Sequence, residues 1–125
     1  MSARLAAPVT IGRHALADLS GVDPVLLRDA EHVMNELADI LCATQFHVLR
    51  RVQHQFPGAG AGFTGMFLLS ESHAAVHTYP EHGYLALDVF GCGPQDPADV
   101  ARELGSRLNA ASVVLQSVPR SSISH

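Results

Sequence analysis

Between Ser70 and Glu81 the chain sets two acids, two serines, a threonine, two histidines and a tyrosine directly behind the apolar run Phe67-Leu68-Leu69. Polar groups this dense beside a strand that reads as buried cost free energy unless they are paired or perform chemistry. Several chemistries compete for them. Ser72 could be a nucleophile, but Glu71 and His73 flank it and the Gly-x-Ser-x-Gly elbow of serine hydrolases is absent. Taken alone it reads as an ordinary turn serine. His73 and His77 are four residues apart, which puts them on one face of a helix or of a strand, and Glu81-His82 follow. A catalytic zinc centre needs three ligands in a fixed cage. The turn at Pro80 leaves the third ligand unplaced, so no metal ligand set is assigned. Each histidine equally fits a hydrogen-bonded, half-buried ring.

Composition narrows the function classes. A chain of 125 residues with 47% hydrophobic and 16% charged residues makes one domain, small enough that dimerisation would help it. The net charge of -4 offers no basic footprint for nucleic acid. No apolar run approaches the roughly 20 residues that span a bilayer, and the first ten residues lack the apolar core of a signal peptide. A cytoplasmic protein is expected. Cys42 and Cys92 are too few for a disulfide framework; Cys42, at the end of a helical pattern, is expected to be a small buried residue. All eight basic residues of the Lys+Arg count are arginines. A chain without lysine cannot form the internal imine of a pyridoxal phosphate enzyme. If it performs imine chemistry, the carbonyl comes from elsewhere.

The elements that must position these residues follow from spacing. Residues 1–8 read as a disordered leader and Val9–Leu19 as a first strand. Asp23-Pro24 is a cap followed by a first-turn proline, and apolar residues at helical spacing from Leu26 to Leu41 predict one helix over Val25–Cys42. Strands are predicted over Thr44–Gln55, Phe63–Ser70, residues 73–79 and Tyr84–Phe90. A glycine-rich loop separates the first two, and Pro80-Glu81-His82-Gly83 turns between the last two. Asp96-Pro97 repeats the cap device before a helix over Ala98–Leu108. Ala111–Val118 is a last strand and Pro119–His125 a polar tail. The order β-α-β-β-β-β-α-β predicts a single-domain α+β two-layer sandwich, an antiparallel or mixed sheet with helices on one face. The uncovered face is a natural dimer surface.

Glu71-Ser72-His73-x-x-x-His77-Thr78-x-Pro80-Glu81, followed by Asp88-x-Phe90-x-Cys92-Gly93, resembles the prokaryotic S-adenosylmethionine decarboxylase family. Gly12-Arg13-His14, Asp23-Pro24, Val52-Gln53-His54-Gln55-Phe56 and Gly62-Phe63-Thr64-Gly65 extend the likeness over nearly the whole chain. The resemblance implies a self-processing proenzyme. Ser72 would attack the Glu71 carbonyl, and elimination would free residues 1–71 from residues 72–125 and leave a pyruvoyl group at Ser72. Thr64, at a position usually serine in the family, would assist the acyl shift. His77 would remove the serine α-proton, and Cys92 would protonate the product carbon. The pyruvoyl ketone would form a Schiff base with the substrate amine and accept the electrons of the breaking carboxylate bond, the work pyridoxal does elsewhere.

The resemblance also implies substrate contacts, with Phe56 and Tyr79 as aromatic rings and Glu81 holding ribose hydroxyls. The loop from Phe56 to Thr64 is longer than in typical members, and relatives exist that use arginine or ornithine. S-adenosylmethionine is therefore the expected substrate, for polyamine (spermidine) biosynthesis, with those amino acids as alternatives. A homodimer of processed protomers is expected, with no nucleic-acid or membrane partner. A non-processing binding or activating relative is the alternative of another class, and the retention of Ser72, His77 and Cys92 counts against it.

Overall fold

In a computed structural model, residues 7–123 of the chain are described. Two Asp-Pro starts behave as their chemistry dictates. Asp23 accepts from the Val25 amide at 2.9 Å and Asp96 from the Ala98 amide at 3.0 Å. Each satisfies an amide that a helix start otherwise leaves orphaned. The expected single helix is two. Helix α1 (Pro24–Arg28) ends at Asp29, which leaves helical geometry and caps α2 (Ala30–Ala43) through the His32 amide at 3.1 Å. The break leaves the apolar periodicity intact: Leu27, Val33, Met34, Leu37, Ile40 and Leu41 are all buried.

Six strands follow the expected antiparallel pattern: β1 (Pro8–Ser20), β2 (Val48–Gln55), β3 (Phe63–Leu69), β4 (Ser72–Tyr79), β5 (Tyr84–Gly91) and β6 (Ser112–Ile123). They form one sheet in the order β2-β3-β4-β5-β1-β6, every neighbour antiparallel. Helices α2 and α3 (Pro97–Arg107) lie against one face, where Leu19, Phe67, Val76, Leu87 and Val89 meet Met34, Leu37 and Leu104 in one core. The α+β two-layer sandwich is thus as predicted, with one helix more.

Three local expectations change. Cys42 is exposed, because it lies off the face that carries Leu37 and Leu41. The chain from Pro119 to Ile123 is not a tail but the end of β6, paired with β1 up to Pro8–Ile123. Its mixed polar sequence is tolerated because β6 is an edge strand, where Pro119 also fits. Of the expected leader, residues 1–6 lie outside the described residues, and so do residues 124–125 of the tail.

Among the described residues the other sheet face has no helix on it. Cross-strand register arranges it in rows. One row is His54, Thr64, His77, Ala86, Asp18 and Val114; the next is Val52, Met66, Ala75, Asp88, Leu16 and Gln116; the third is Arg50, Leu68, His73, Phe90, His14 and Val118. Val52, Met66, Leu68 and Val114 are about half exposed or more, at 63%, 45%, 50% and 57%. These exposed apolar side chains share the face with polar ones, His54, His77, Asp88 and Arg50 among them.

Candidate active site

The two ends of β4 carry different groups. At its start, Leu69 pairs with Ser72, so Ser70-Glu71 is a two-residue turn between β3 and β4. Glu71 has φ 59°, a left-handed conformation that costs a non-glycine residue about 1–2 kcal/mol. The Ser72 hydroxyl donates to the Ser70 carbonyl at 3.0 Å. The Cys92 thiol, just past the end of β5, donates to the Glu71 carbonyl at 3.6 Å. That is the carbonyl the Ser72 hydroxyl would have to attack. Strain and a polarising donor therefore converge on the Glu71–Ser72 peptide.

At the far end, Thr64 on β3 and His77 on β4 are cross-strand partners, and the Thr64 hydroxyl lies 3.0 Å from His77 Nδ1. They border a cavity of about 330 Å³ whose walls include Phe56, Tyr79 and Glu81. The glycine-rich loop closes on itself through the Phe56 amide and the Gly62 carbonyl at 3.0 Å. Gly62 presses against the Thr78 backbone and hydroxyl so closely that a Cβ has no room there. Thr78 is the hub of this end. Its buried hydroxyl donates to the Leu27 carbonyl of α1 at 2.8 Å and accepts from the Phe63 amide at 3.0 Å. It thereby ties the helix break, the start of β3 and the end of β4 together, and so sets Thr64 against His77.

The expected site residues thus form two groups. Thr64, His77, Phe56, Tyr79 and Glu81 meet at one cavity; Glu71, Ser72 and Cys92 meet at the turn. The five steps from Ser72 to His77 run along a strand, which separates the groups by about 17 Å. Sequence reading had no signal for Thr78 as a hub, because its partners Leu27 and Phe63 are remote in the chain. It also missed the pairing of His14 and His73 with Asp88, at 3.0 and 2.9 Å. His73, His77 and His82 do not gather. Among the described residues every buried side-chain nitrogen or oxygen has a partner, so the dense polar stretch is satisfied.

Tyr84, at the cavity end of β5, donates to Asp18 across the open face. That bond to the carboxylate, with partial burial next and the Asp18 charge after it, pushes the phenol up to about 12. Among the described residues no helix is long and apolar enough to cross a membrane.

Known proteins share this fold and much of this sequence. A sequence model of S-adenosylmethionine decarboxylase matches residues 13–121. The S-adenosylmethionine decarboxylase proenzyme of Clostridium tetani is 36% identical over 111 residues, spanning 88% of this chain and 86% of its own length. The proenzyme of a Geobacillus species is 34% identical, covering 89% and 88%. The crystal structure of the adenosylmethionine decarboxylase from Aquifex aeolicus matches with a TM-score of 0.83 at 30% identity, over 92% of this chain and 94% of that one. Likeness over nearly the full length assigns an enzyme class, the carboxy-lyases. The chain belongs to the S-adenosylmethionine decarboxylase family.

Proposed function

We propose that this chain cuts itself between Glu71 and Ser72 and then decarboxylates S-adenosylmethionine, yielding an aminopropyl donor for polyamine (spermidine) synthesis in the cytoplasm. The observation that carries this reading is the turn itself: a strained Glu71 whose carbonyl receives the Cys92 thiol, directly before a serine. Attack by the Ser72 oxygen on the Glu71 carbonyl moves the acyl group from nitrogen to oxygen. Loss of the Ser72 α-proton to an imidazole then expels the upstream chain as a carboxylate, and hydration with loss of ammonia leaves a pyruvoyl group. The turn leaves room for it: Ser72 is half-exposed, at a strand end, and among the described residues no other side chain is hydrogen-bonded to it. When present, that group supplies a carbonyl that captures the substrate amine and draws electrons from the breaking carboxylate bond.

The chain's own residues do the rest. His77, held by Thr64, is the base for the α-proton. Cys92 delivers a proton to the product carbon. Phe56 and Tyr79 offer ring faces and Glu81 a carboxylate at the cavity where the nucleoside would lie.

His77 lies too far along β4 to reach Ser72 of its own chain. We therefore read the site as composite. Two copies pack their open faces together about a two-fold axis near Ala75, midway between the groups. The Thr64–His77 end of one copy then meets the Ser72–Cys92 end of the other. Ala75 is small and nearly buried at that midpoint, and Met66 and Leu68 beside it supply apolar contact. An isologous interface of this kind makes two identical sites.

Intact mass and labelled carbon dioxide release test the reading. Two chains, 1–71 and 72–125, and release from S-adenosylmethionine are expected. An uncut active protein would overturn the processing step, and release from arginine or ornithine instead would overturn the substrate.

A further inference from the structure

The middle of the open face holds a polar group that neither half of the proposed site uses. His14 on β1, Asp88 on β5 and His73 on β4 come from three adjacent strands. Both imidazole Nε2 atoms point at one carboxylate oxygen, Asp88 Oδ1, at 3.0 and 2.9 Å. The three ligand atoms lie within 4.8 Å of one another. The rings meet edge to face at 5.4 Å, and Phe90 packs against both at 5.8 and 6.1 Å. All three residues are half-buried, with Leu16 and Leu68 beside them in register. A carboxylate and two imidazoles in an apolar frame make an unusual centre for a sheet face.

We propose that His14, His73 and Asp88 form a binding site for a first-row divalent transition metal. Ligand atoms around one tetrahedral ion at 2.0–2.1 Å stand about 3.3–3.4 Å apart, a few tenths of an ångström beyond the two nitrogen–oxygen separations here. Replacing the two hydrogen bonds with metal bonds therefore needs each ring to move outward by a few tenths of an ångström, with all three ligand atoms already within 4.8 Å of one another. The sheet holds the ligands on three paired strands, which is the rigid support a metal site requires. Two imidazoles and one carboxylate suit zinc, cobalt, nickel or iron. They do not suit calcium or magnesium, which prefer oxygen alone, or copper(I), which prefers sulfur. Three protein ligands leave the outward position open for water or for a group presented by whatever covers the face. His73 adjoins Ser72, so a bound ion would anchor the start of β4 to β1 and β5 when the chain is cut beside it. The site is complete within one chain and does not depend on the decarboxylase reading.

The test uses full-length protein without an affinity tag, titrated with Zn2+ and, for its visible spectrum, Co2+. One ion per chain is expected, with a cobalt spectrum of nitrogen and oxygen ligation and a Zn2+-dependent rise in Tm. His14→Gln, His73→Gln and Asp88→Asn should each weaken Zn2+ binding by more than the roughly 10–100-fold typical of losing an outer-shell partner. His47→Gln and His54→Gln, on exposed histidines outside the cluster, should leave it unchanged. Uncut Ser72→Ala protein should bind equally, which separates this outcome from the fate of the processing reading. No stoichiometric binding, or binding that survives a His14→Gln/His73→Gln/Asp88→Asn protein with a native circular-dichroism spectrum, would overturn the proposal.

Discussion

The two ends of β4 are built on opposite principles. At the Ser72 end the backbone is strained, Ser72 is half-exposed and Cys92 exposed, and among the described residues their side chains hydrogen-bond to backbone carbonyls. At the His77 end a buried hydroxyl bridges two elements and a cavity is already formed. One end is strained and open to solvent, and the other is a hydrogen-bonded holder. In the composite reading, placing both on one strand makes each chain incomplete alone and two copies complementary.

The largest expected effect tests that complementarity. Ser72→Ala and His77→Ala chains should each remain uncut by intact mass. Co-expressed, they should give dimers in which the His77→Ala chain is cut with help from its partner. About half of that chain should be processed if the two associate at random. If the co-expressed chains stay wholly uncut, the composite site is wrong. Next in size, Met66→Glu or Leu68→Glu on the open face should convert a dimer to monomer by ultracentrifugation and stop processing with it; a processed monomer would separate the two ideas.

Thr78→Val should cost about 2–3 kcal/mol in urea unfolding, since it leaves the Phe63 amide and Leu27 carbonyl unpartnered in the interior. Thr78→Ser should recover most of it. Glu71→Gly relieves the left-handed strain and should slow cutting by up to about tenfold, the rate equivalent of about 1.4 kcal/mol; a faster cut would show that strain plays no part. The smallest effect is at high pH. The neutral Tyr84 phenol is favoured in the folded state, so its contribution is complete below the ordinary value of 10.0 and is lost as pH rises through about 12. Tyr84→Phe should flatten stability against pH in that window and remove a late phenolate transition from the ultraviolet titration.

The layers were legible because apolar spacing survives tertiary context: the apolar positions from Leu26 to Leu41 and from Val100 to Leu104 fall in helices, as read. The break at Asp29 was not, since a cap within a helical pattern leaves that pattern unchanged. The end of β6 was missed because an edge strand exposed on both faces shows no alternation. Individual site residues could be named through the family resemblance, but their separation into two groups could not. Five residues are near neighbours in a list and far apart on a strand. The His14–Asp88 pair joins positions 74 residues apart, and no local pattern records it.

The two-residue turn between β3 and β4 has a consequence for refolding. While it is intact, β3 finds β4 at almost no cost in loop-closure entropy. A cut there leaves the packed sheet unchanged but turns that pairing into an encounter between separate molecules. The uncut Ser72→Ala chain would return from urea at a rate independent of its concentration. The cut protein would return slowly, at a rate set by dilution, or not at all. Its persistence would then depend on the height of the unfolding barrier rather than on an equilibrium.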